Sequence, residues 1–202
     1  MFRCNFLRLY EIHRETQLPF TQGAANARNF AINKSIGRYI AFLDSDDVWS
    51  ELKLERQISF MIETSIAFSF TAYQFMSEDG KELLNIINAP SLMTYHSYLK
   101  NTIIGCLTVV LDRKQVGDFE MLNIRSSHDM ALWLLIMRRG FYAYGLDENL
   151  AKYRVVSSSN TANKIEAAKE VWHVYRYVEG LNMFYSAICF VSYVFHAIKK
   201  RL

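Results

Sequence analysis

Residues 39–43, Tyr-Ile-Ala-Phe-Leu, form a short apolar run of strand type that carries straight into Asp44, Asp46 and Asp47. Helix-forming text stands on both sides. Upstream, GAANARNFAINKSIG (23–37) places Ala24, Ala27, Ala31 and Ile32 on one side, with Gly37 as a stop beyond the helix end. Downstream, SELKLERQISFMIE (50–63) reads as a helix with Ser50 as its N-cap and Glu51 suited to its first turn. A short apolar strand between two helices predicts a parallel α/β unit. Crowded carboxylates repel one another and are costly beside a buried strand end, so the acids need a compensating partner. Ligands of open α/β sheets bind outside the carboxyl ends of strands. Asp44 and Asp46, two apart on extended backbone, turn toward one side, and two such carboxylates suit Mg2+ or Mn2+ shared with substrate phosphates. The competing reading is a solvated turn whose acids favour the following helix start.

Further along, SIAFSFTAYQFM (65–76) alternates as a strand, and EDGK (78–81) is a hairpin turn with Gly80 at the position needing positive φ. GCLTVVLD (105–112) is another strand candidate. SHDMALWLLIMRRG (127–140) reads as a helix stopped by Gly140, FYAYGL (141–146) and AKYRV (151–155) as two short strands, and residues 161–180 as a helix. Three domains of organisation follow: an atypical segment 1–22, a catalytic-type α/β region 23–160 and C-terminal helices 161–202.

A chain of 202 residues holds one substantial core. Its net charge of +3, without basic stretches interleaved with aromatics, argues against nucleic acid as a partner. Three widely separated cysteines, Cys4, Cys106 and Cys189, and five scattered histidines give no zinc spacing, so free thiols in a reducing compartment are expected. Arg3 and Arg8 and further charges interrupt the N-terminal text, which is not a signal peptide.

The stretch GAANARNFAINKSIGRYIAFLDSDDVWSELKLERQ (23–57) resembles the family 2 glycosyltransferases of the GT-A fold: an ARN helix, a strand ending D-x-D-D, and a W-x-x-x-K-L-x-x-Q helix. SHDMALWLLIMRRGFYAYGLDENLAKYRVVSSSNT (127–161) is similar to their acceptor-side segment, and residues 101–117 resemble members that build bacterial capsule, lipopolysaccharide or other surface glycans. The resemblance implies an incomplete GT-A (Rossmann-like) mixed α/β sheet flanked by helices, with a C-terminal helical extension. It implies Asp46 and Asp44 at a Mn2+ or Mg2+ ion and the donor, Arg28 near the nucleotide, Asp129 as the general base, and Arg154 at a phosphate when the following loop closes. Asp47 reads as a supporting residue or a helix cap. The implied activity is inverting transfer of a sugar from a nucleotide sugar, of UDP type, to a surface-glycan or lipid-linked acceptor in the cytoplasm or at the cytoplasmic face of the inner membrane.

Three departures accompany the likeness. The family's opening V-S-V-I-I-P-x-Y-N strand and its V-D-D-x-S-x-D strand are not in this sequence, so the expectation is a truncated member that binds donor weakly or not at all, with its own activity in doubt. A non-catalytic remnant acting as a binding or membrane-associated module is the alternative, and a phosphohydrolase using the D-x-D pair the third reading. His128 stands where a glutamate is common, and is expected to be merely tolerated. Val156 stands where many members carry histidine. Finally, residues 181–198 carry no charge and Lys199, Lys200 and Arg201 follow. That pattern fits an interfacial helix on anionic lipid, or equally a helix packed on the domain's own core.

Overall fold

The computed structural model describes residues 23–156 and 164–200. The expectations for residues 1–22, for the loop after Arg154 from residue 157 on, and for the start of the 161–180 helix fall outside them.

The chain order is α1 (Gly23–Lys34), β1 (Tyr39–Ala41), β2 (Val48–Trp49), α2 (Lys53–Glu63), β3 (Phe68–Met76), β4 (Leu83–Ile87), β5 (Leu92–Met93), α3 (Tyr95–Lys100), a 3-10 turn (Cys106–Thr108), β6 (Val110–Asp112), α4 (Arg113–Val116), α5 (His128–Arg138), β7 (Ala143–Arg154), α6 (Lys164–His173), a π-helical turn (Val174–Val178) and α7 (Met183–Lys199). The strands join in one sheet of order β1-β6-β3-β7-β2, with β4 on β3 and β5 on β7. This is the mixed, helix-flanked sheet expected. The parallel unit predicted over 23–63 is not: β1 runs antiparallel to β6 and β2 antiparallel to β7, and only β3 and β7 pair in parallel. The helices around β1 do not return the chain to a neighbouring strand. Residues 42–47 instead link the strand at one edge of the sheet to the strand at the other, and they carry the acids between them.

Local departures have identifiable causes. Helix α1 ends at Lys34, and Gly37 is not in the left-handed region, because Arg113 Nη1 donates to the Ser35 carbonyl and Nη2 to that of Ile32. The last carbonyls are thus satisfied without a glycine cap. Helix α1 buries Ala25 and Ile32 rather than Ala24. Helix α2 begins at Lys53, three residues after Ser50, which instead receives the Leu52 N–H at 3.4 Å in the preceding turn. Strand β3 is buried along both faces rather than alternating, as befits a central strand. The two strands foreseen in 141–155 are one, β7. Asp147 and Glu148 sit in an irregular stretch of its register with β3, held by the Ala89 N–H and by Arg56. Gly80 has φ +77° in the β3–β4 hairpin as predicted.

The main core gathers Phe42, Phe68, Leu132, Trp133 and Leu134 with Val171, Val174, Tyr175 and Cys189 of the C-terminal helices. Phe42 and Phe68 pack against the Trp133 ring at 5.5 and 5.4 Å. Cys106 and Cys189 are free thiols.

Candidate active site

Arg28 joins the two blocks that the sequence keeps 100 residues apart. From α1 its Nη2 donates to Asp44 Oδ1, and its Nη1 to Nε2 of His128 at the start of α5. Its neighbour Asn29 anchors the helix: Nδ2 donates to the Met121 carbonyl at 2.8 Å and Oδ1 accepts the Met121 N–H at 2.7 Å. In the ARN triplet, then, the asparagine holds the helix and the arginine faces the acids. Burial lowers the Arg28 pKa, but Cys106, Asp44 and Asp129 outweigh it and the net shift is upward. The guanidinium is a fixed cation among acids.

Asp129 lies in the first turn of α5, within electrostatic reach of Arg28 and His128. Ser127, just before, has φ +60°, a strained setting for a non-glycine residue that aims the helix start. Since an arginine N–H can only donate, His128 Nε2 must be unprotonated. Burial accordingly lowers the His128 pKa, with Arg28 adding to it and Asp129 opposing. His128 is thus more than tolerated: it is the acceptor that seats Arg28.

The acid turn is closed by the Asp47 N–H on the Asp44 carbonyl at 3.1 Å. Asp46 is exposed and Asp44 half-buried. Asp47 caps no helix. Its Oδ1 accepts the Arg154 N–H at 2.9 Å, tying the turn to the end of β7. Burial pushes its carboxyl up to about 7, Asp44 and Asp46 adding to the shift and the Arg154 N–H opposing it. Arg154 itself donates from Nε to the Asp46 carbonyl and from Nη1 to the Glu78 carbonyl, both at 2.8 Å, beside Gly80. It braces the acid turn against the β3–β4 hairpin.

Cys106 entered the sequence reading only as a free thiol, yet it lies among the acids: burial, Asp129, Asp44 and Asp47 push its thiol well up while Arg28 opposes. It stays a neutral wall. The W-x-x-x-K-L-x-x-Q residues also acquire roles. Trp49 Nε1 donates to the Leu107 carbonyl at 2.7 Å, and buried Lys53 donates to Gln57 Oε1 and to the Thr108 carbonyl. Together they fix the turn that carries Cys106. Among the described residues no group of three or more His, Cys, Asp and Glu cages an ion by itself. Asp44 Oδ1 is taken by Arg28 and the Asp46 side chain is exposed, so an ion here would need further oxygens, such as those of substrate phosphates.

The chain matches the family Glycosyl transferase family 2 over residues 11–122, a stretch that includes Arg28, Asp44 and Asp46. It is 53% identical to TuaG of Bacillus subtilis, named as a glycosyltransferase of teichuronic acid biosynthesis, over 92% of this chain and 73% of that one. The chain is a family 2 glycosyltransferase. This glycosyltransferase is also 40% identical to WfgD of Escherichia coli, a UDP-Glc:α-D-GlcNAc-diphosphoundecaprenol β-1,3-glucosyltransferase, over 77% of this chain and 60% of that one. Its fold is similar to the GT-A fold of Staphylococcus aureus TarS 1–349 solved with UDP-GlcNAc, at TM-score 0.61 and 14% identity, covering 96% of this chain and 60% of that chain. The glycosyltransferase thus spans between about three fifths and three quarters of the length of these relatives. Its similarity to enzymes of cell-surface polysaccharide synthesis agrees with the surface-glycan type expected from residues 101–117.

Proposed function

We propose that this glycosyltransferase moves a sugar from a UDP-sugar to a lipid-linked glycan acceptor with inversion at the anomeric carbon. The observation that carries the reading is Arg28 spanning Asp44 and His128, which brings the acid turn and Asp129 to one place. UDP-Glc and a diphosphoundecaprenol acceptor in the name of WfgD support the choice of donor and acceptor.

Asp129 takes the proton from the acceptor hydroxyl as its oxygen attacks the anomeric carbon. The bond from that carbon to the diphosphate oxygen breaks, and UDP leaves with the electron pair. No covalent enzyme intermediate is needed. Arg28 lends fixed positive charge near the nucleotide. Asp46 and Asp44 would hold Mn2+ or Mg2+, which supplies charge stabilisation to the leaving diphosphate. Arg154 keeps the turn in place and turns to a donor phosphate only if it leaves its two carbonyls. The acceptor class puts the work at the cytoplasmic face of the inner membrane.

The test is incubation of the chain with Mn2+, a panel of UDP-sugars and a diphosphoundecaprenol-linked monosaccharide, with the product's anomeric configuration read by NMR. One UDP-sugar is expected to give an inverted product. A retained configuration, or transfer from none of the panel, contradicts the reading.

A further inference from the structure

Helix α7 is amphipathic in the opposite sense to an ordinary surface helix. Its fully buried residues are Ser186 and Cys189, both 0% exposed, while Phe184, Val191 and Phe195 are 77%, 69% and 65% exposed. With Ile188 and Ile198 they recur at spacings of four and three, an arc of roughly 80° along one face. The inward face is secured by Tyr185, Phe190 and Tyr193 against the main core. A helix that packs one apolar face on the core and exposes another has a second surface to cover.

We infer that this face of α7 docks on the surface of an anionic lipid bilayer. Charge selects that occupant. Residues 181–202 contain no acid, and Lys199, Lys200 and Arg201 close the run. Beside the stripe, Ile165, Ala168, Trp172 and Phe190 line an apolar groove of about 470 Å³ between α6 and α7, with Lys164 and Lys169 among its walls. Lys169 also pairs with Glu166 at 2.8 Å, which leaves Lys164 and the basic end of α7 as the cations that would meet phosphate headgroups above acyl chains. At 17 residues α7 is about 25 Å long, short of a hydrocarbon core of about 30 Å. No helix among the described residues is long and apolar enough to cross a membrane, so α7 lies on the surface.

The docking has a consequence for the active site. Lys200, at the tip of α7, lies with Nζ 5.1 Å from the Tyr73 ring centroid, and Tyr73 lies within electrostatic reach of Asp47. The helix on the bilayer therefore ends against β3, in the same sheet that carries the acid turn. A lipid-linked acceptor would meet the site at the surface itself. That benefit rests on the proposed transfer, but the docking does not.

Flotation with vesicles of phosphatidylcholine alone, or with about a third phosphatidylglycerol, tests it without nucleotide sugar. The wild-type chain is expected to float with the anionic vesicles and at least tenfold less with neutral ones. Val191→Asp with Phe195→Asp is expected to stay in the bottom fraction while keeping its circular dichroism melt, because both residues are exposed. Lys199→Glu gives a second, milder variant with intermediate flotation. Flotation unchanged in the double variant, flotation indifferent to phosphatidylglycerol, or none with either vesicle overturns the inference. So does a lipid-free wild-type dimer by light scattering that the double variant abolishes, which would assign the face to a second copy.

Discussion

At the residue scale, Arg28 does what no single acid of the site can. Its fork holds Asp44 with one nitrogen and His128 with the other, a geometry a lysine cannot copy. Arg28→Lys is expected to keep the fold and to lower transfer by about 10- to 100-fold, the scale of one or two charged hydrogen bonds; steady-state kinetics check this. His128 gives the complementary test. His128→Leu is expected to weaken UDP binding, and His128→Gln, which retains an acceptor, to restore it; equal affinity in both variants would show that the ring only fills space. The ARN and D-x-D-D letters were legible in the sequence because they are local. Their meeting with His128 was not, since it spans 100 residues and depends on where α5 starts. Cys106 was invisible for the same reason: a lone cysteine carries no signal until its neighbours are known.

At the element scale, helix α2 is bound to the Cys106–Thr108 turn by a buried polar group. Lys53 is 1% exposed and Gln57 0%, and both donate to the Thr108 carbonyl at 3.0 Å. Gln57 also donates to Ser69 Oγ at 3.2 Å, so the link continues into β3. Burial lowers the Lys53 pKa to about 7 from an ordinary value of 10.5. The sign follows. Below pH 7 both folded and unfolded chains hold the proton, and the burial cost is fully present. From pH 7 toward 10.5 only the unfolded chain holds it, so this lysine's contribution to stability rises with pH. The slope is at most about 1.4 kcal/mol per pH unit. Urea unfolding of wild type and Lys53→Met between pH 7 and 9.5 is expected to show wild type gaining on the variant. Parallel curves would mean that Lys53 stays charged in the fold. The sequence marked Lys53 and Gln57 as motif letters on a helix, and their spacing of four puts them on one face. It did not mark their partner, a backbone carbonyl of a turn read as a strand. Strand β7 was misread for a related reason. Asp147 and Glu148 look like a turn until Ala89 and Arg56 are there to receive them.

At the scale of the whole molecule, one crossing organises the site. Chain 42–47 runs from β1 at one edge of the sheet to β2 at the other and carries the acids between them. Arg154 ties the far end of that crossing and Arg28 the near end. Arg154→Ala is expected to loosen the turn and lower Mn2+-dependent UDP affinity several-fold while the melting temperature drops by only a few degrees; calorimetry and thermal unfolding separate the two. The mixed sheet was legible as a class because the motifs imply it. Its strand order was not, because antiparallel pairs such as β1 with β6 join segments some 70 residues apart that share no local signal. The C-terminal helix was open to two readings: α7 packs on the core with one face, as one of them expects, and leaves the other bare, which is the face the lipid-docking proposal concerns. The central claim is that Asp129 and the acid turn form one transfer site with separate duties. Asp129→Asn tests it most directly, by sugar transfer and UDP binding measured on the same preparation with Mn2+. Transfer is expected to fall by about 100-fold or more with UDP affinity unchanged; wild-type transfer by the variant, or loss of UDP binding in step with activity, would contradict it.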